Sequence, residues 1–164
     1  MRTFLLLALL LPMTWVDTAQ CQFWSAELGG WALAPPTNSQ GTGVVSAYCW
    51  WSSDCPDSLS FQCSGHFRSL TGYPIAIALC RGTPGTGSEI LHTLAWLQAV
   101  AGRYELRDTT LVLSAEECLD LSPERLHVLV ATDSFPSGEI AGIVRPRPDP
   151  VRNSSWGQIR AIYR

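Results

Sequence analysis

The stretch Leu126 to Val144, LHVLVATDSFPSGEIAGIV, constrains the fold more than any other part of the chain. Leu126, Val128 and Val130 recur at period two, so an extended backbone puts all three on one face. Glu139-Ile140-Ala141-Gly142-Ile143-Val144 again suits a pleated surface. Between them lies Phe135-Pro136-Ser137-Gly138. Proline presets its own φ at the second turn position, and glycine accepts the positive φ that a reversal needs. A hairpin of this kind closes an antiparallel sheet. Further strand candidates precede it at Phe23–Leu28, Val44–Trp50, Leu59–Phe67, Pro74–Cys80, Ile90–Leu94 and Gly102–Leu106, most of them separated by turn residues. Short strands at this spacing predict an all-β fold, an antiparallel Greek-key-like sandwich or barrel. Ser114-Ala115-Glu116-Glu117 has the form of a capping box, which predicts one short helix ending before Pro123.

The 164 residues suffice for one domain with a core. With 46% apolar and 15% charged residues, the chain has the apolar content to fold. A net charge of -3 gives no case for nucleic acid or an anionic membrane. Every basic residue is arginine, and we have no physical account of that.

Met1 to Leu11 reads as a basic start and an apolar run that Pro12, Thr14 and Asp17 break. The run is shorter than the ~20 residues of a membrane span, so it is expected to act as a secretory signal peptide. Residues 1–20 are assigned to it, with a cut between Asp17 and Gln22. Residues 21–144 then form the β domain of a secreted, extracellular protein. In an oxidising compartment Cys21, Cys49, Cys55, Cys63, Cys80 and Cys118 favour three disulfides, so the domain is expected to be disulfide-stapled, with connectivity open among 15 arrangements. A local clip between Cys49 and Cys55, flanking Trp50 and Trp51, is one candidate. The spacing is no zinc pattern, since Cys-x-x-Cys and paired histidines are absent. Residues 145–164 read as a Pro/Arg-rich tail, extended at Arg145-Pro146-Arg147-Pro148, with an N-glycosylation sequon at Asn153.

Four blocks, taken in order, resemble a known family. Leu28-Gly29-Gly30-Trp31-Ala32-Leu33-Ala34-Pro35-Pro36 resembles its opening Leu-x-Gly-x-x-x-x-Pro-Pro signature. Gly41-Thr42-Gly43-Val44-Val45 resembles its entry to the second strand, with Gly43 in the glycine position. Gly82-Thr83-Pro84-Gly85-Thr86-Gly87 resembles the Gly/Pro loop after its central strand. Phe135-Pro136-Ser137-Gly138-Glu139-Ile140-Ala141-Gly142 resembles its closing Phe-Pro-x-Gly-Glu-(Ile/Leu)-x-Gly hairpin. The family is the CHRD (chordin) domain, and the resemblance covers roughly residues 28–144. It implies a secreted β module without established catalysis. Chordin antagonises bone morphogenetic proteins, so the resemblance points to growth factors of that class, or to matrix components, as partners.

The expected function is therefore a non-enzymatic interaction module with no cofactor, no metal, no nucleic acid and no membrane span. The alternative is a metal-dependent redox enzyme of superoxide-dismutase-like fold, whose chemistry needs several histidines converging on metal. His66, His92 and His127 are far apart in sequence. Many members of the resembled family carry His-x-His before the Gly/Pro loop, whereas this chain has Leu79-Cys80-Arg81. There is no Gly-x-Ser-x-Gly elbow and no phosphate loop. Glu139 is the carboxylate to inspect, and after a turn glycine it is expected to fix the hairpin rather than act as an acid or base. Trp50 and Trp51 are the partner-binding candidates. On a strand they must face opposite ways, so one can anchor a partner while the other enters the core.

Overall fold

Alternation in the first strand decides which side is in. Gln22–Gly29 buries Trp24, Ala26 and Leu28, and leaves Phe23, Ser25 and Glu27 on the other face. A computed structural model of the protein describes residues 22–52, 55–85, 87–94, 98–100, 103–121 and 124–147. Its elements are β1 (Gln22–Gly29), a 3-10 turn (Gly30–Ala32), β2 (Thr42–Ser52), β3 (Cys55–Arg68), β4 (Pro74–Arg81), β5 (Glu89–Leu94), β6 (Gln98–Val100), β7 (Arg103–Ser114), α1 (Ala115–Leu121), β8 (Leu126–Thr132), β9 (Ile140–Ile143) and β10 (Arg145–Pro146).

The strands join in the order β5-β4-β8-β9-β1-β2-β3-β7-β6, with β10 beside β1, and their pairings are antiparallel. The result is an all-β, barrel-like, nearly closed sheet with one short helix. Its interior is filled by alternate residues of each strand, among them Leu28, Val45, Phe61, Phe67, Leu79, Leu113, Val128 and Ile140. Leu121 carries α1 onto the same core. The helix starts as the capping box requires. Ser114 N–H donates to Glu117 Oε2 at 2.7 Å, and Glu117 N–H donates to Ser114 Oγ at 3.3 Å.

The closing hairpin forms with Gly138 at φ +128, a conformation that a Cβ would strain. Val130 then accepts from Glu139 N–H at 2.8 Å, starting the β8–β9 ladder.

Three expectations need correction. The sheet does not stop at Val144: Trp24 and Ser25 pair with Pro146 and Arg145, and Arg147 N–H donates to Phe23 O at 2.8 Å. Proline fits there because an edge position needs no donor from it. The last strand before the helix runs on from Leu106 to Ser114. A bulge opposite Cys63–Gly65 accommodates Arg107 and Asp108, which break the alternation. The Cys49–Cys55 clip does not fit the register. Cys49 lies opposite Phe61, while Cys55 lies opposite Ser52, three residues further along β2. At the rise of an extended strand that is ~10 Å, beyond the ~7 Å Cα limit for a disulfide. Cys63, Cys80 and Cys118 are unbridged thiols in the structure, so the expected stapling is not seen there. Cys21, Asn153 and the signal segment lie outside the described residues, as do the side chains of Trp51 and Cys55.

Candidate interaction surface

Because β1 and β2 pair in a fixed register, their outward residues line up in rows. Phe23 lies opposite Tyr48, Ser25 opposite Ser46, Glu27 opposite Val44. Phe23 and Tyr48 are each 41% exposed, and their rings meet edge to face at 4.5 Å between centroids. This geometry favours aromatic attraction beyond area burial. Trp50 follows Tyr48 on the same outward row and is half-buried. Val112 extends the apolar character across the sheet, 60% exposed on β7. The strip Phe23–Tyr48–Trp50 is thus an aromatic surface on rigid strands. Of the two expected tryptophans, Trp50 belongs to it. Phe23 and Tyr48 escape a reading of the sequence alone, because only the register reveals that they touch.

The residues of the resembled motifs gather elsewhere. Leu28 is core and Gly30 opens the 3-10 turn, while Pro35 and Pro36 lie exposed in the loop that follows. Ala34 N–H donates to Pro84 O at 2.9 Å, and Ala34 forms an isolated bridge with Gly85. At φ +105, with Ala34 O only 2.4 Å from where a Cβ would stand, position 85 takes glycine alone. Pro35, Gly85, Pro136 and Gly138 line one shared depression. Gly82 sits where the chain leaves β4, at positive φ. Gly43 lies under Phe67, and Gly142 lets β9 close on the Glu27 carbonyl.

Glu139 ties this loop end together. It is fully buried. Its Oε1 accepts from Ser39 Oγ at 2.5 Å and Thr71 N–H at 2.6 Å, and its Oε2 accepts from Thr132 Oγ1 at 2.7 Å. Its carbonyl accepts from Thr37 Oγ1 at 2.7 Å. Burial alone pushes the carboxyl up, but the Ser39, Thr71 and Thr132 hydrogen bonds outweigh it and hold it below the usual carboxylate range. Its lone pairs are engaged by the protein, which is the arrangement of a structural anchor and not of an acid or base.

The histidines do not converge. His66 lies exposed on β3, His92 binds Glu117 on α1 at 3.0 Å, and His127 is fully buried with Nε2 at 3.0 Å from Ser88 Oγ. Ser88 Oγ donates to Thr83 O at 2.9 Å, so its one proton is taken. The buried Nδ1 of His127 has no hydrogen-bond partner among the described residues. Burial lowers the His127 pKa. Leu79 and Arg81 are the positions that the resemblance sets against the family's histidine pair. Leu79 is core, and Arg81 Nε donates to Asp120 Oδ2 on α1 at 2.6 Å, so these positions hold the helix to the sheet. Among the described residues no group of three or more His, Cys, Asp or Glu is placed to hold a metal ion, and no helix is long and apolar enough to cross a membrane.

The thiols are shielded. Burial, helped by Asp108, pushes Cys63 up to about 12, and burial pushes Cys80 up to about 11. Cys63 belongs to the barrel core, whereas Cys80 lies opposite His127 in the β4–β8 ladder, and both are unbridged. No family model matches the chain, and no curated protein matches its sequence.

Proposed function

We propose that this chain is a secreted, non-enzymatic interaction module of the chordin-domain kind, which binds an extracellular protein through the outer face of β1 and β2. The partner class is a growth factor of the bone morphogenetic protein type or a matrix component. The observation that carries the reading is the Phe23–Tyr48–Trp50 strip: three aromatic side chains side by side on paired strands, partly solvent-facing. Large aromatics with little rotamer freedom are the residues that dominate interface energetics. The neighbouring polar atoms support the reading indirectly. Glu139 and His127, the buried ionisable groups a catalytic account would use, are committed to holding loops. Three of the four motif blocks meet in space around Pro35, Gly85 and Pro136, which supports the family reading. Export by residues 1–20 and a glycan on Asn153 complete the proposal.

The test is a binding assay of the purified secreted chain against bone morphogenetic proteins and matrix proteins, with metal content determined on the same sample. Saturable binding lost in Tyr48→Ala sustains the reading. Stoichiometric copper or zinc with no protein binding replaces it with the redox alternative.

A further inference from the structure

Further along the same face of β1, the outward row ends differently. Ser25 and Glu27 on β1 lie beside Ile143 and Arg145, and Trp31 closes the row above Gly29. Together with Ala32 they line a groove of about 510 Å³, within the ~300–1,000 Å³ span of small-ligand sites. Trp31 is 74% exposed, yet it does not project freely. Its Nε1 lies 2.2 Å and its Cδ1 2.5 Å from where a Cβ on residue 29 would stand, so the indole rests on the bare glycine backbone. The 3-10 turn Gly30–Ala32 delivers it there.

The polar groups around the indole are unspent. Glu27 is exposed, and its carboxylate makes no hydrogen bond or ion pair with the described residues. Arg145 donates from Nε to Glu124 Oε2 at 3.0 Å, which leaves the donors of its two terminal nitrogens. Ser25 adds a hydroxyl that both donates and accepts. A wide aromatic surface beside a carboxylate, a guanidinium and a hydroxyl is what a pyranose ring asks for. Its C–H face stacks on the indole, and its vicinal hydroxyls donate to the carboxylate and accept from the guanidinium.

We propose that the Trp31 groove binds a neutral saccharide. The charges decide between neutral and sulfated sugars. The lining holds one carboxylate, Glu27, and one guanidinium, Arg145, and Arg145 is already paired with Glu124, so the groove has no excess positive charge to hold a sulfate. The site is independent of the protein-binding strip at Phe23 and Tyr48: either can hold while the other fails.

The experiment uses the full secreted chain carrying Asn153→Gln, so that no glycan of its own occupies the groove. Methyl β-galactopyranoside, methyl β-glucopyranoside, their β-linked tetrasaccharides and heparin fragments are titrated by isothermal calorimetry and tryptophan fluorescence. A neutral sugar is expected to bind saturably. Trp31→Ala is expected to weaken it about tenfold or more, as is Gly29→Ala, which keeps the indole but displaces it. Glu27→Gln is expected to weaken it less. Circular dichroism on each variant establishes folding, and Tyr48→Ala is expected to bind sugar as the parent does. Absence of saturable binding by any neutral sugar overturns the proposal. So does heparin as the only ligand, or neutral-sugar binding that survives both Trp31→Ala and Gly29→Ala.

Discussion

Glu139 and Glu27 are two glutamates in neighbouring parts of one sheet, and they have opposite lives. Glu139 is buried, and its carboxylate is filled by two hydroxyls and a backbone N–H drawn from two loops and the end of β8. Glu27 faces solvent on β1, and its carboxylate has no partner among the described residues. The loop end built around Glu139 has polar groups matched to one another. The outer face of β1 leaves aromatic and polar groups unmatched. The lesson is that a charged residue inside a family-like motif can be wholly structural, while Phe23, Ser25 and Glu27 on a plain strand outside that motif keep their side chains turned away from the core.

The largest effect expected from breaking this contrast is at Glu139. Glu139→Ala leaves the hydroxyls of Ser39 and Thr132 and the Thr71 N–H without their acceptor. The expected loss is roughly 3–5 kcal/mol of stability, read by urea unfolding. A loss under ~1 kcal/mol in that experiment contradicts the anchor. Glu27→Ala, its counterpart, is expected to change stability by no more than ~0.5 kcal/mol.

Acid sharpens the same contrast. The Glu139 carboxyl is depressed in the folded chain, so it adds stability above its unfolded pKa of ~4.3, and that stability is lost as pH falls through the folded value. His127 is also depressed. Its contribution is full above the unfolded pKa of ~6.5 and declines as pH falls from there toward the folded value. Unfolding free energy measured against pH is therefore expected to fall in two stages on acidification. Glu139→Gln should reduce the lower stage, to which the depressed Glu117 also contributes, and His127→Phe should remove the upper.

On the aromatic side the order of effects reverses. Phe23→Ala or Tyr48→Ala is expected to cost the fold ~1 kcal/mol or less, the worth of one exposed edge-to-face pair, while weakening partner binding about tenfold. Thermal unfolding and a titration on the same preparation check both halves.

Much of this architecture is legible in the sequence. Short strand-like runs with turn residues between most of them, at Phe23–Leu28, Val44–Trp50 and Pro74–Cys80, locate β1, β2 and β4, and Ser114 with Glu117 locates the helix start. The C-terminal half of β7 is not legible, because Arg107 and Asp108 occupy a bulge and interrupt the period. Arg145-Pro146 looks like polyproline and becomes an edge strand only because β1 offers it a partner. Glu139 can be singled out by its place after a turn glycine, but two of its partners are 100 and 68 residues away and no local pattern announces them. Phe23 and Tyr48 are hidden for the same reason: their contact belongs to the register. The disulfide expectation treats cysteine count as geometry, and the strand register separates Cys49 from Cys55.

The smallest effect concerns thiols. At pH 8 Cys63 and Cys80 should label with a thiol reagent only on unfolding, since burial holds their pKa values at about 12 and about 11. Half-buried Cys118 should label before them.

The most direct test of the interaction reading is a titration of the purified chain against a panel of bone morphogenetic proteins at moderate salt, run in parallel with the double variant Phe23→Ala/Tyr48→Ala. The account predicts saturable binding by the parent chain and a loss of tenfold or more, about 1.4 kcal/mol, in a variant that stays folded. Equal binding by both chains, or no binding to any member of the panel, contradicts it.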